Sequence, residues 1–264
     1  MERSILKLDV KVKNGKTIVS DSYFTQSLKI LKPFYNEDYT KMKLCILNVS
    51  AGILEGDQYD MEINLAKASN IYIYSQSYTK IFKMRGGKAT QKLRVNMEEG
   101  SHFSYMPMPT IPFVDSNFIG TIDIRLKKHC SLVLREIISC GRYKNDEIFK
   151  FLSFSSKTKV FLEDKLIFMD NTLLRPKEQE LIGIGFYEKY YHQANMIIFD
   201  ENLRANLKED LIKLLNGYEN IEFGISESFV SGMIIRILGR SSEELRKITD
   251  NIEAVSKYQV PNTR

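Results

Sequence analysis

The sequence predicts a mainly β fold that ends in an α/β portion with about two helices. From the N-terminus to about residue 170, apolar and polar residues alternate in short segments separated by glycine, proline, asparagine and acidic clusters. The 15 phenylalanines and 14 tyrosines favour pleated, half-buried surfaces. After about residue 200 the apolar residues take a helical spacing instead.

Three segments predict strands with one face in the core and one face in water. They are "YDMEINL" (59–65), "QKLRVNM" (91–97) and "TIDIRL" (121–126). Since successive side chains of a strand point to opposite faces, the apolar residues of each segment share one face. These inward residues are Tyr59, Met61, Ile63, Leu65, Leu93, Val95, Met97, Ile122, Ile124 and Leu126.

Other segments are apolar on both faces and predict strands that lie between layers. They are "KLCILNV" (43–49), "SLVLREIIS" (131–139) and "DEIFKFLSF" (146–154). The segment "NIYIYSQSYTKIF" (70–82) begins in the same way but then carries polar residues into a buried or edge position.

The C-terminal region predicts a helix, a strand and a second helix. In "ENLRANLKEDLIKLLNG" (201–217) leucines 203, 207, 211 and 214 share a helical face, and Asn216 with Gly217 forms a stop signal. A strand follows in "FVSGMIIRILG" (229–239). The second helix is predicted in "SSEELRKITDNIEAVSKY" (241–258), where Ser241 or Ser242 can cap its start. Because no linker rich in Pro, Gly or Ser interrupts the sequence, we expect one domain over 1–264. It would consist of a β-rich body (1–200) and a C-terminal portion with two helices (201–264).

Composition argues against several function classes. The net charge of +5 comes from basic residues spread along the chain, which disfavours nucleic-acid binding. Cys45, Cys130 and Cys140 form no C-x-x-C pair, so we expect a reducing, cytoplasmic location. The charged N-terminus predicts no signal peptide, and the apolar run "LCILNVSAGIL" is shorter than the about 20 residues that span a bilayer, so no membrane is expected.

The sequence also lacks the motifs of common catalytic and metal sites. His102, His129 and His192 have no zinc- or nickel-ligand spacing, and no P-loop, dinucleotide fingerprint or G-x-S-x-G motif occurs. We therefore predict that the protein is not an enzyme. A hydrolase using Ser75 or Ser77 would need a base that the spacing does not supply.

Three carboxylates stand where a β core would favour apolar residues: Asp57, Glu136 and Glu147. Burying a carboxylate costs several kcal/mol unless it is paired or binds a cation. One interpretation pairs Glu136 with a nearby cation and treats Gly52, Gly56 and Gly141 as turn glycines. The candidate cations are Arg135, Arg142 and Lys80. The other interpretation is a polar passage through the sheet core, or an interface patch.

Six segments in this order resemble the urease accessory protein family called UreD, or UreH in some bacteria. They are "YFTQSLKILKPFY" (23–35), "VSAGILEGDQYDMEINL" (49–65), "YSQSYTKIFKM" (74–84), "YMPMPTIPFVDSNF" (105–118), "REIISCGRYKNDEIF" (135–149) and "GMIIRILGRSSEELR" (232–246). The departures are mild: Ala51 replaces a glycine of the family's GGxxxGD, Ser75 replaces a threonine, and Asp146 stands where glycine is usual.

The resemblance implies a non-enzymatic maturation factor built of stacked β-sheets in a helicoid-like arrangement. Such a protein binds urease apoprotein, joins UreF and the GTPase UreG, and helps deliver nickel, with Ni²⁺ passing transiently through a polar tunnel and no tightly bound cofactor. A β-rich module that bridges proteins without passing metal is the alternative.

Single oxygen ligands spaced along a path would bind Ni²⁺ weakly, as a conduit requires, whereas a Cys/His cluster would trap it. The candidate path residues are Asp57, Glu136, Glu147, Ser75 and Gln76, with Lys80 as a tuning residue. Asp57 is the strongest candidate among them and the first choice for mutagenesis. Glu55 is expected to be a surface acid.

Overall fold

The computed structural model describes residues 3–25, 27–37 and 39–257. Gln26, within the first of the quoted segments, and Tyr258, at the predicted end of the last helix, lie outside the described residues. The two helices are α1 (Leu207–Leu215) and α2 (Ser242–Lys257), and a 3₁₀ turn covers Tyr143–Asn145. None of the helices in the described ranges is long and apolar enough to cross a bilayer.

The strands of the described residues are β1 (Arg3–Lys13), β2 (Lys16–Phe24), β3 (Leu28–Ile30), β4 (Phe34–Tyr35), β5 (Met42–Asn48), β6 (Gln58–Leu65), β7 (Asn70–Ser75), β8 (Thr79–Ile81), β9 (Ala89–Met97), β10 (His102–Met106), β11 (Thr110–Pro112), β12 (Asn117–Leu126), β13 (Ser131–Ser139), β14 (Ser153–Leu162), β15 (Lys165–Leu174), β16 (His192–Phe199), β17 (Ile221–Glu227) and β18 (Gly232–Gly239).

These strands form two stacked sheets, which confirms the predicted fold class. One sheet has seven strands in the order β15, β14, β12, β9, β6, β1, β2. The other has eleven, with the main order β17, β18, β16, β13, β10, β7, β5, β3. Along the chain, β6, β9, β12 and β14 join the first sheet in parallel, while β7, β10 and β13 join the second. The chain therefore winds between the sheets as a solenoid.

The predicted one-sided strands pair so that their apolar residues form ladders. Met61 of β6 lies opposite Leu93 of β9, which lies opposite Ile122 of β12. All ten residues predicted to point inward from these strands are buried, while Lys92 and Arg94 are exposed. Stacking in register thus builds a continuous apolar layer between the sheets.

Strand β13 confirms the prediction of a strand covered on both faces. Leu132 and Leu134 belong to the core between the sheets. Val133 and Ile137 belong to a second apolar cluster, which α1 and α2 form on the outer face of the larger sheet. Arg135 also points to this outer face, toward α2.

The strand predicted over residues 146–154 is wrong for its first seven residues, because β14 begins at Ser153. Asp146 and Phe149 adopt left-handed backbone conformations, with φ of 57° and 49°, which end any extended run. Phe149 and Phe151 are nevertheless buried, so they anchor a loop in the core. Apolar content alone did not distinguish this loop from a buried strand.

The first C-terminal helix is shorter than predicted. Residues 201–202 and 205–206 form turns, and α1 begins at Leu207. The Asn202 N–H donates to Asp200 Oδ1 at 2.8 Å. Leu207, Leu211 and Leu215 are buried, whereas Leu203 and Leu214 pack at the edge of the cluster. The second helix is confirmed, and Ser241 caps it by accepting the Glu244 N–H at 3.3 Å.

Candidate functional site

A cavity of about 190 Å³ lies between the two sheets, which is room for several water molecules. It runs across the strands, because its lining includes one residue from each of five neighbouring strands of the larger sheet. These are Ile46, Ile73, Tyr105, Glu136 and Asn195. At about 4.8 Å per strand, they span about 19 Å. Four of the six predicted path residues line the cavity: Ser75, Gln76, Lys80 and Glu136.

Ser75, Gln76 and Lys80 stand at one mouth of the cavity because the predicted strand over 70–82 is interrupted there. Strand β7 ends at Ser75 and β8 starts at Thr79. The Ser75 hydroxyl accepts the Met108 N–H at 2.9 Å, which joins two loops of the mouth. Gln76 and Lys80 are exposed.

Helix α2 is tied to the same mouth. The Tyr78 hydroxyl, from the loop between β7 and β8, donates to Glu243 Oε2 at 3.1 Å. Hydrogen bonds from Arg246, and less strongly from Tyr78, hold the pKa of the Glu243 carboxyl at about 2. Glu243 is therefore ionised at neutral pH, and its charge helps fix the mouth against the helix.

Glu136 lies deep between the sheets and keeps its remaining exposed surface toward the cavity. The Ser156 hydroxyl donates to Oε1 at 2.6 Å, and the Thr158 hydroxyl donates to Oε2 at 3.1 Å. Desolvation raises the pKa of Glu136, and the two hydroxyls offset this only in part.

The predicted pairing of Glu136 with Arg135, Arg142 or Lys80 is wrong. Arg135 lies on the opposite face of the strand and binds Asp250 of α2 at 2.5 Å. Arg142 binds Glu147 instead. Within the described ranges Glu136 forms no ion pair, and its carboxyl meets two hydroxyls rather than a cation.

Asp57 closes a turn and is not among the residues that line the cavity. Its Oδ2 accepts the Leu54 N–H at 2.8 Å, and its own N–H donates to the Leu54 carbonyl at 3.1 Å. The Tyr59 hydroxyl, 3.4 Å from Oδ2, connects Asp57 to the cavity wall. The "GILEGD" segment is thus a turn that stands one side chain away from the cavity.

Glu55 is exposed, as predicted, but it also holds a neighbouring loop. Its carboxylate accepts the N–H of Arg85 at 2.8 Å and the N–H of Gly87 at 2.5 Å. These two backbone hydrogen bonds lower the pKa of Glu55. The "RGGK" segment (85–88) is therefore tied to this turn by a carboxylate.

Gly52 allows the turn to approach β8 closely. A Cβ atom at this position would lie 2.6 Å from the Lys80 carbonyl oxygen and 2.6 Å from Cε2 of Phe82. We expect Gly52→Ala to lower the free energy of unfolding by about 2–3 kcal/mol, measured by urea denaturation. Gly224→Ala is the matched control, because a methyl group at that position would have no neighbouring atom within 4 Å. Equal stability of the two variants would contradict this interpretation.

Glu147 is an ion-pair partner in a loop and is also not among the cavity-lining residues. Arg142 Nε donates to Glu147 Oε2 at 2.8 Å, and Arg142 Nη2 binds Oε1. Hydrogen bonding to Arg142 lowers the pKa of Glu147. Asp146, which stands where the family usually has glycine, keeps the positive φ of 57° that suits a glycine position.

A set of polar residues that were not among the predicted path residues surrounds Glu136. Ser156, Thr172 and Asn195 line the cavity, and Thr158, Asp170 and Arg236 lie next to them in the strand registers. Alternation in "SFSSKTKVFL" could have found Ser156 and Thr158, because they share a face with the apolar Phe154 and Val160.

The histidines and cysteines are dispersed. His129 Nδ1 lies 2.7 Å from Glu201 on the surface, while burial lowers the pKa of His192 to about 4. All three cysteines are free and buried. Within residues 3–25, 27–37 and 39–257, no group of three or more His, Cys, Asp or Glu side chains could hold a metal ion.

Fold and site together define a class of protein, a two-sheet β solenoid with a cavity of mixed apolar and polar lining that crosses its strands. The family model described as "UreD urease accessory protein" matches residues 2–262. The chain therefore belongs to the UreD family of urease accessory proteins.

Individual relatives agree with this assignment. The chain is 39% identical to the urease accessory protein UreD of Acetivibrio thermocellus, over 94% of each chain. It is 38% identical to UreH of Helicobacter hepaticus, over 92% of this chain and 94% of the relative. It is 29% identical to UreH of Helicobacter pylori strain P12, over 95% of this chain and 94% of the relative. Family membership supports a role in urease maturation and implies a non-catalytic one.

Proposed function

We propose that this protein is a cytoplasmic urease maturation factor that binds urease apoprotein, UreF and UreG, and passes Ni²⁺ through the cavity between its sheets. The observation that supports this most is Glu136, a carboxyl group without a cationic partner in the described ranges, which faces the cavity beside two hydroxyls. The ionised form of such a group is costly to enclose unless a cation visits it.

The chemistry of the lining suits a transient cargo. The side chains that line the path offer hydroxyl, amide and carboxylate oxygens, which bind Ni²⁺ more weakly than a cage of imidazoles or thiolates. Ser75 and Gln76 would receive the ion at the mouth and Glu136 would carry it inward. The exposed Lys80 would tune entry by its positive charge.

Asp57 and Glu147 would act on the path indirectly, through the residues that they hold. Asp57 positions Tyr59 at the cavity wall, and Glu147 fixes the loop after β13 through Arg142 and the Val114 N–H. Asp57 is engaged in a turn, and Glu147 is engaged in an ion pair. For these two positions, this favours the alternative, a module that bridges proteins without passing metal.

The conduit is tested with Glu136→Gln in cells that co-express urease and its accessory proteins at limiting nickel. We expect the complex to assemble and the nickel content of urease to fall about tenfold, since one charged ligand is worth roughly 1.4 kcal/mol or more. Glu98→Gln, an exposed glutamate on the surface, is the control. Asp57→Ala and Glu147→Ala test the outlying carboxylates in the same assay.

Normal nickel content with Glu136→Gln, in a complex that assembles, would reject the conduit and leave the bridging module. If any of these variants prevents the complex from assembling, co-purification of the accessory proteins will detect that failure separately.

A further inference from the structure

A polar row runs from the cavity toward one edge of the two sheets. In the larger sheet Glu136 of β13 lies opposite Asn195 of β16, which lies opposite Arg236 of β18. Directly paired residues share a face, so these three side chains point toward the smaller sheet. At about 4.8 Å per strand, the row covers about 10 Å from Glu136 outward.

The smaller sheet presents a matching row. Thr158 of β14 lies opposite Asp170 of β15, and β15 is the edge strand. The two rows meet at both ends: Thr158 donates to Glu136 at 3.1 Å, and Arg236 Nη2 donates to Asp170 Oδ1 at 2.5 Å. The negative charge of Asp170 also contributes to raising the pKa of Glu136, which places the two carboxyls within electrostatic reach.

The ion pair between Asp170 and Arg236 stands where this row reaches solvent. Asp170 is 17% exposed and Arg236 is 57% exposed. The residue of β17 that pairs with Arg236 is Gly224, which adds no side chain over it. An arginine in the strand next to the edge strand β17 thus covers the end of the polar row.

We propose that the ion pair of Arg236 with Asp170 is a gate that closes a lateral outlet of the cavity. The gate rests on the proposed function, because it regulates the same path. In the closed state Arg236 occupies the carboxylate of Asp170 and repels a divalent cation that approaches from Glu136. When Arg236 turns into solvent, Asp170 becomes the next oxygen ligand on the way out.

The pair has the properties that such a gate requires. Because Arg236 is more than half exposed, its attraction to Asp170 is screened and its own charge stays hydrated when its side chain turns away. The mostly covered Asp170 carboxylate is then left without a cation, which favours binding of another cation there. Asp170 is mostly covered and stays at the outlet. A bound acidic partner surface could therefore draw Arg236 away.

The gate is tested by the reactivity of a cysteine placed inside the outlet. Thr172 lines the cavity and belongs to the same strand as Asp170. In the full chain with Thr172→Cys, the rate of modification by methyl methanethiosulfonate reports access to this position. The native cysteines, Cys45, Cys130 and Cys140, are buried. Their background rate of modification is measured in the chain that lacks Thr172→Cys.

Adding Arg236→Met should raise this rate about fivefold, the change that ~1 kcal/mol of ion-pair energy produces. Asp170→Asn should raise it in the same way, and Arg236→Lys should keep it close to the parent rate. Arg94→Met is the matched control, because Arg94 forms an exposed pair with Glu62 elsewhere on the smaller sheet. It should leave the rate unchanged.

Equal rates in the parent, Arg236→Met and Asp170→Asn would overturn the gate, even if Glu136→Gln blocks nickel delivery. Conversely, normal nickel delivery with Glu136→Gln would overturn the conduit, whatever the cysteine reacts with. The unfolding temperature of each variant shows whether a faster rate comes from an opened outlet or from a loosened fold. A drop in unfolding temperature that accompanies the faster rate of Arg236→Met and Asp170→Asn would count against the gate.

Discussion

Replacing Arg135 with alanine should lower the free energy of unfolding by about 3–5 kcal/mol. Arg135 is 2% exposed and joins three parts of the molecule. Its guanidinium donates to the Met106 carbonyl at 2.8 Å and the Pro107 carbonyl at 2.9 Å, and it binds Asp250 of α2 at 2.5 Å. Alanine would leave those carbonyls without their donors and the carboxylate without its cation.

Urea denaturation of the wild type and the variant measures this effect. Arg94→Ala is the control, because it removes an arginine from an exposed pair and should change stability by less than about 1 kcal/mol. Arg135→Lys keeps the charge but not the planar set of donors, so it should fall between them. A loss of under about 1 kcal/mol with Arg135→Ala would show that α2 is held mainly by its apolar face.

Glu136 should make the protein less stable as the pH rises. Because desolvation raises its pKa in the folded state, the folded chain keeps the proton at pH values where the unfolded chain has released it. The unfolding free energy therefore decreases with pH from the unfolded pKa, near 4.5, up to the raised folded pKa. One group can contribute a slope of at most about 1.4 kcal/mol per pH unit.

Glu136→Gln keeps the shape of the side chain and removes the titration. We expect its stability to be higher than that of the wild type at the upper end of this pH window, and the difference to shrink toward acid pH. Denaturation curves from about pH 4.5 to about pH 8 measure the difference. A constant offset between the two proteins would mean that the carboxyl ionises as freely in the fold as in the unfolded chain. A Ni²⁺ ion that binds Glu136 would compete with its proton, so nickel transfer should strengthen over the same rise in pH.

The strands with one apolar face were predicted well because alternation is a local property. Met61, Leu93 and Ile122 come from three distant segments, and the alternation within each segment is enough to assign each residue to the core without reference to their pairing. The order of the quoted segments also indicated the family. Local patterns failed where a loop was as apolar as a strand, as at Phe149 and Phe151.

The sequence by itself determined the mainly β body, the C-terminal helices and the family, since these follow from periodicity and from the order of motifs. Only the tertiary structure decided which polar residues meet. Arg135 and Glu136 are neighbours in the chain, yet they point to opposite faces, so one holds α2 and the other faces the cavity. Asp57 and Glu147 are held by local partners. Asn195 and Arg236 are aligned with Glu136 by strand pairing, and Asp170 of the other sheet joins them through its ion pair with Arg236. Contacts between distant strands depend on register, which no single segment encodes.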